Sequence, residues 1–479
     1  IRDYKVTGAQ TCALPICTLL LAVFGFKHYN SDIITTVADS DLNGKNEIVL
    51  NGDNGGSWVS GPNLPIGPRY YSAYCTYTRN DTSWLFVLGG DTTGSGHPTR
   101  TSFKYNFRTN QWSQIAPMPI PLRTHTAAVI GDTVYTFGGL DSPTSNGVSS
   151  ILKYNINSNT WTSGPNLPSP IFFSGVTVLD NKYAFIAGGV TSTTTDNLPA
   201  ETSLTGVYNA IAGLFRENNS MPLEAAAMYL AHILDPKSTD NVSLYKVFCI
   251  GGFKTGSVPS SDVLECNVDP LDSNNTTYIV HSNIIPGGGL ARHTGVTLPD
   301  GRVLVSGGVR TNSFNAISNH YIFNPYNITF SSLPSSIFPI CAHSSGVAKV
   351  GNEYKFMTTG GITTGPTLTA QSQFFMDSIL IGITPISSEI PVSMQLHQNY
   401  PNPFNPVTKI RFEVSEAASD VKLTVYDIQG REVSNVINNR LSAGIYEYTF
   451  EANNLPSGIY FYRLQTGNIS LTRKMMLVK

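Results

Sequence analysis

Apolar residues in this chain come in short runs, and six of those runs end in a pair of glycines: WLFVLGG, TVYTFGG, YAFIAGG, KVFCIGG, RVLVSGG and YKFMTTGG. The pairs close at Gly90, Gly139, Gly189, Gly252, Gly308 and Gly361, at spacings of 49, 50, 63, 56 and 53 residues. A period near 50 residues marks a radial or stacked array. The runs are bounded by Asn, Asp, Gly and Pro and carry no 3.6-residue period, so the predicted elements are strands.

The glycine pairs sit in a frame. Tyr105 lies 15 residues after Gly90 and Trp112 lies 7 further on; Tyr154 and Trp161 keep both intervals after Gly139, as do Phe323 and Phe330 after Gly308. Tyr208 and Phe215 keep the second interval after a longer loop, and units four and six are degenerate. Each unit reads as four strands: one such as HTAAVI, the run ending in the glycine pair, a third with the Tyr or Phe, and a fourth with the Trp or Phe. Short Asn, Asp and Gly turns such as GDT and LPDGR join the first two. This frame resembles the kelch repeat. The resemblance implies an all-β fold, a six-bladed β-propeller over residues 57–378. SWVSGPNLP at Ser57–Pro65 nearly duplicates TWTSGPNLP at Thr160–Pro168. Trp58 is therefore expected on a fourth strand that completes blade six; SILIGIT near Ile379 is the alternative.

Strands alternate in direction, so the innermost strands start on the face that carries the long loops Asp91–Ser102, Val190–Leu204 and Arg310–Asn319. Long loops on a rigid scaffold are where binding tends to reside. Arg69, Arg123, His125, Glu224, Arg292, His293 and His343 gather at those starts. Two readings stay open. They form a ring at the channel mouth that holds an anionic or hydroxyl-rich ligand, or they pair with neighbouring blades.

The chain carries a net charge of -2 with 13% charged residues and no Lys/Arg run, which argues against nucleic acid as a partner. No apolar stretch approaches the length of a membrane span. VTGAQTCALPI at Val6–Ile16 resembles the translation of a sequencing adapter, so residues 1–17 are expected to be an artefact. Residues 18–56 follow. TLLLAVFGF at Thr18–Phe26 reads as a signal-peptide core or as a strand of an upstream domain. In ADSDLNGKNEI, Asp39, Asp41, Asn43 and Glu47 alternate around Gly44, the kind of oxygen set calcium takes. The stretch resembles the DxDxDGxxD loop of FG-GAP repeats; a solvated turn is the other reading. Cys249 and Cys266 fall on neighbouring predicted strands of blade four, as a disulfide or as two buried thiols.

Composition changes after blade six. Residues 379–397 read as a linker with Pro385 and Pro391. From 398 on come NYPNPFNP, then TKIRFEV, TVYDIQGREV, GIYEYTFEA, LPSGIYFYRL and a terminal KMMLVK. These alternating runs predict a small Ig-like β-sandwich. The segment 398–479 closely resembles the type A sorting domain of the type IX secretion system. That implies export through the periplasm and outer membrane of a Bacteroidota-type bacterium, with the secretion machinery as a partner.

No nucleophile elbow, phosphate loop, HExxH or dinucleotide fingerprint is present. The expected function is a secreted or surface binding module for a glycan or a protein. The alternative is a carbohydrate-active enzyme such as a sugar mutarotase, which six-bladed kelch proteins include, with Glu224 as base and Arg292 or Arg123 as anion clamp. A structural segment of a longer protein is a third reading.

Overall fold

The computed structural model describes residues 57–479, apart from 81, 143–146, 192–200, 236–243, 299–300, 351–352, 366, 378–382, 388–390, 416–418, 442–443, 453–454 and 468. The candidate calcium loop (Asp39, Asp41, Asn43, Glu47), the adapter-like stretch and Thr18–Phe26 lie outside the described residues.

Six four-stranded antiparallel sheets form the blades. Blade one runs from Ala73–Arg79 through Thr82–Leu88 and Ser102–Asn106 to Gln111–Ile115, innermost to outermost. The innermost strands of blades two to six are Thr126–Ile130, Gly175–Leu179, Tyr229–Leu234, Thr294–Thr297 and Ser344–Val350. Blade six is assembled from both ends of the repeat region. Its outermost strand is Ser57–Gly61, paired with Ser372–Asp377 so that Trp58 faces Phe375. The ring thus closes as the duplicated SGPNLP stretch implies.

The seven-residue interval is the register of the outer hairpins. Tyr105 lies opposite Trp112, Tyr154 opposite Trp161, Tyr208 opposite Phe215 and Phe323 opposite Phe330. Three of these pairs have ring centroids 4.9–5.1 Å apart, a geometry worth about 0.5–1.5 kcal/mol beyond area burial. Trp58 and Phe375 repeat it at 5.3 Å across the closing seam. In blades six, one and two an indole N–H then ties the blade to the chain entering it. Trp58 donates to the Pro334 carbonyl at 2.8 Å, Trp112 to Pro62 at 3.1 Å and Trp161 to Ala116 at 2.8 Å.

Each glycine pair joins its blade to the next. Both glycines of every pair have positive φ, between 57° and 108°. The second donates its N–H to a carbonyl at the start of the following innermost strand: Gly90 to Leu122, Gly139 to Ile171, Gly189 to Ala225, Gly252 to Leu290, Gly308 to Ile340 and Gly361 to Arg69, all at 2.7–2.8 Å. A Cβ on the first glycine would run into that same carbonyl oxygen. Glycine is needed here for its conformation and for the close approach of two backbones.

The C-terminal unit is a sandwich of two four-stranded sheets. One holds Val407–Val414 and Gly444–Glu451; the other holds Ser419–Tyr426, Glu432–Leu441, Gly458–Thr466 and Ile469–Leu477. Alternating residues such as Ile410, Phe412, Leu423, Val425, Tyr462, Leu464 and Met475 fill its core. The stretch expected as a linker contributes strands: Ile383–Ser387 pairs with Gly444–Glu451, and Gln395–Leu396 with Val407–Val414. NYPNPFNP and GIYFYRL meet in space. The Asn399 side chain binds the Pro401 carbonyl and Thr408, while its N–H donates to the Tyr462 hydroxyl at 2.8 Å. That hydroxyl in turn donates to the His397 carbonyl.

Candidate binding site at the channel mouth

Just before each innermost strand, one residue takes a left-handed backbone. These are Tyr71, Thr124, Phe173, Ala227, Arg292 and Ala342, with φ between 51° and 56°. Side-chain-bearing residues are uncommon there, so six at equivalent positions require an external cause. Inter-blade hydrogen bonds link five of the six neighbouring pairs. Thr124 N–H donates to the Tyr71 carbonyl, Phe173 to Thr124, Ala227 to Phe173 and Ala342 to Arg292 at 2.8–2.9 Å, and Tyr71 to Ala342 at 3.1 Å. All six residues line a cavity of about 380 Å³ that follows the central channel. Residue type varies from Ala to Arg around this ring, so no sequence signal marks it.

The next residue along each strand behaves differently. His125, His293 and His343 occupy it in blades two, five and six, and Met228 in blade four. Their side chains wedge into the seam against the glycine pair of the preceding blade. A Cβ on Gly89, Gly251 or Gly307 would lie 3.1 Å from the Cε1 of His125, His293 or His343 respectively. On the other side their own Cβ atoms crowd Gly139, Gly308 and Gly361. Burial brings the His125 and His293 imidazoles down to about 3, and it pushes His343 well below its ordinary value. All three are neutral near pH 7. His343 Nε2 lies 2.7 Å from the Thr294 hydroxyl and 3.3 Å from that of Ser306, in the preceding blade. His125 has no hydrogen-bond partner for either ring nitrogen.

The other predicted residues are dispersed. Arg69 is 2% exposed and held within its own blade. Its guanidinium donates to the Gly89 and Thr101 carbonyls, each at 2.9 Å, and lies over the Phe103 ring; burial lowers it to about 10. Arg123 is equally buried and lies near Tyr70, whose phenol is pushed up by burial and by the Asp91 charge despite the arginine. Glu224 is on the exposed loop face, where Thr255 donates to it at 2.9 Å. The structure therefore brings Arg292, His125, His293 and His343 to the channel wall and leaves Arg69, Arg123 and Glu224 off it.

Arg292 is the residue at which charge meets the cavity. Its guanidinium lies between two rings, 5.0 Å from the Phe253 centroid and 4.1 Å from that of Phe314, and Nη1 donates to the Ser313 carbonyl at 3.2 Å. With the histidines neutral, it is the one formal charge among the described residues lining the cavity. Elsewhere on the mouth, Tyr71 and Phe173 meet edge to face at 4.9 Å. Aromatic and aliphatic side chains form the collar around them, among them Tyr70, Phe172, Val190, Phe253 and Val309. The sequence pattern points to four of the polar residues here, Arg292, His125, His293 and His343, and not to the aromatics, because Tyr71 and Phe173 lie outside the glycine–aromatic frame. The rest of the lining mixes hydroxyls, Ser72, Ser174, Thr294, Ser345 and Tyr74, with aliphatic residues such as Val129, Val178 and Leu230. The arrangement can stack an apolar face, fix one anionic or hydroxyl group and hydrogen-bond a polar tail.

Residues 85–119 and 121–168 match the family of the kelch motif, and residues 398–479 match the family described as the secretion system C-terminal sorting domain. Among solved structures, YjhT is similar to this chain at 14% identity with a TM-score of 0.49, over 65% of this chain and 95% of YjhT. No curated protein matches the sequence. The chain carries kelch repeats within its all-β propeller. It carries at its C-terminus the sorting domain of the type IX secretion system, which directs export to the cell surface or the medium and is characteristic of Bacteroidota. No helix among the described residues is long and apolar enough to cross a membrane.

Proposed function

We propose that the exported propeller is a binding module for a glycan, which it takes at the channel mouth. The observation that carries this reading is that one buried arginine, Arg292, and the aromatic rings of Tyr71 and Phe173 share the wall of a cavity of about 380 Å³. Sugars present apolar C–H faces that pack on aromatic rings. Their carboxylate or hydroxyl groups suit a guanidinium that donates in a fixed fork. The cavity falls in the size range of small-ligand sites, and hydroxyls such as Ser174 and Tyr74 stand among its apolar lining. Surface export supports the same reading, since it brings the mouth to extracellular glycans.

The test is a glycan array probed with the full-length protein and with Arg292→Ala. Binding to a restricted set of glycans that the variant loses is the expected result. Binding that the variant retains would remove the mouth from consideration. Silence across the array, with capture of a protein ligand instead, would overturn the glycan assignment.

A further inference from the structure

We propose that Cys249 and Cys266 are joined by a disulfide in the exported protein. Cys249 is on the second strand of blade four, Tyr245–Ile250, and Cys266 on the third, Val263–Asp269. Cys249 lies opposite Leu264 and Cys266 opposite Val247, so the two cysteines are diagonal neighbours on one face of the sheet. Their sulfurs are 3.8 Å apart and unbonded. A disulfide needs about 2.05 Å, and bridging a diagonal pair calls for side-chain rotation together with movement of the two strands.

The position of Cys266 gives the pair its meaning. It lies opposite Val247 as Tyr105 lies opposite Leu85, and opposite Tyr278 as Tyr105 lies opposite Trp112. Five blades put an aromatic ring at this place: Tyr105, Tyr154, Tyr208, Phe323 and Phe375. Blade four has a thiol there, with a second thiol against it. A covalent link between the second and third strands takes over the anchoring that the ring supplies elsewhere.

Pairing with any other described cysteine is disfavoured. Cys75 belongs to blade one and Cys341 to the start of blade six, whereas Cys249 and Cys266 are 17 residues apart in one hairpin. Short loops close at the lowest entropic cost. The export route crosses the periplasm, where disulfides form and persist. In the packed blade both thiols are buried among Leu179, Phe185, Val207 and Tyr245, and burial raises the Cys266 thiol. The reactive thiolate is therefore available while the hairpin is still open. One cysteine thiolate attacks the disulfide of a periplasmic dithiol–disulfide oxidoreductase and forms a mixed disulfide. The second thiolate displaces the enzyme's sulfur. Two electrons and the two thiol protons end on the enzyme, which leaves as its dithiol. The packed blade then shields the new bond from reductants.

The test is peptide mass spectrometry on the full chain recovered from the cell exterior, denatured in acid and alkylated without reduction. The expected result is a cross-linked 249–266 peptide, two hydrogens lighter than its thiol form, beside fully alkylated Cys75 and Cys341. Complete alkylation of all four would overturn the proposal. In Cys249→Val, Cys266 should become fully alkylated under the same protocol. If it stayed unreactive there, a different modification of Cys266 would be indicated and the pairing would be wrong.

Discussion

The seams between blades and the mouth of the channel are made by consecutive residues of the same strands, yet they treat polar side chains in opposite ways. Arg292 occupies the left-handed position at the start of blade five's innermost strand and lines the cavity. His293, the next residue, turns into the seam and packs toward Gly251. The left-handed turn at Arg292 sends the two neighbours to different partners, the guanidinium to Phe253 and Phe314 and the imidazole to Gly251. Arg69 makes the same point two positions earlier in its unit, where its carbonyl accepts from Gly361 and its guanidinium is absorbed by Gly89 and Thr101. A polar residue at the start of an inner strand thus has no fixed role; its register decides.

The sharpest way to break the seam is at a glycine pair. Gly138→Ala would place a methyl group on the Ile171 carbonyl oxygen at a φ of +62°. The expected loss is about 3–5 kcal/mol, from strain plus a clash with rigid backbone. Gly131→Ala is the matched control. Its φ is +60° but nothing lies within 4 Å of the added Cβ, so only the conformational penalty of about 1 kcal/mol remains. Urea denaturation of both variants checks this. Equal losses would mean that the close approach of blades contributes nothing.

Next in size is the closing strand. Trp58→Ala removes the stack on Phe375, the edge contact with Phe356 at 5.9 Å and the hydrogen bond to Pro334. Trp58 is only partly buried, so about 2–3 kcal/mol is expected, at the low end for aromatic truncation. Trp161→Ala removes equivalent contacts in blade two and should match it in thermal denaturation. A much smaller loss for Trp58 would show that the ring tolerates an open seam.

Most of this architecture was legible because the repeat states it six times. The glycine pairs, the aromatic pair seven residues apart and the duplicated SGPNLP stretch each report a backbone constraint, and such constraints restrict residue type. The mouth was less legible because its constraint is met by backbone hydrogen bonds, which any residue can make. Tyr, Thr, Phe, Ala and Arg all occupy the left-handed ring. His125, His293 and His343 read as candidate ligands because sequence shows polarity without direction. The strand Ile383–Ser387 was obscured by Pro385, which fits a sheet edge better than its interior.

The seam histidines make folding depend on pH. Their folded values lie below the ordinary 6.5, at about 3 for His125 and His293. The unfolded chain therefore binds protons first as pH falls. Stability is full above about pH 6.5 and is lost progressively toward about pH 3, by up to ~1.4 kcal/mol per pH unit for each histidine. His125→Met, which copies Met228 at the same place in blade four, should flatten the dependence by one histidine's share. Urea midpoints at pH 7 and pH 5 decide it; an unchanged slope would mean that His125 is hydrated and outside the seam.

The smallest effect on folding, and the largest on binding, is expected at Arg292. Truncation to Ala removes one hydrogen bond to Ser313 and the two ring contacts, and it relieves the burial of a charge, so stability should stay within about 1 kcal/mol of the parent. Loss of a charge-assisted bond to a ligand is worth about 2–3 kcal/mol, or roughly 30- to 150-fold in Kd. Arg69→Ala should do the reverse. It removes the charge-assisted bonds to the Gly89 and Thr101 carbonyls, which keep Ser72 and the Gly89 N–H as donors, at about 1.5–3 kcal/mol, and leaves glycan affinity unchanged. Thermal denaturation and titration of both variants with a glycan from the array measure the two effects side by side. If both arginines moved stability and neither moved affinity, register would not separate them, and the mouth would be one more seam.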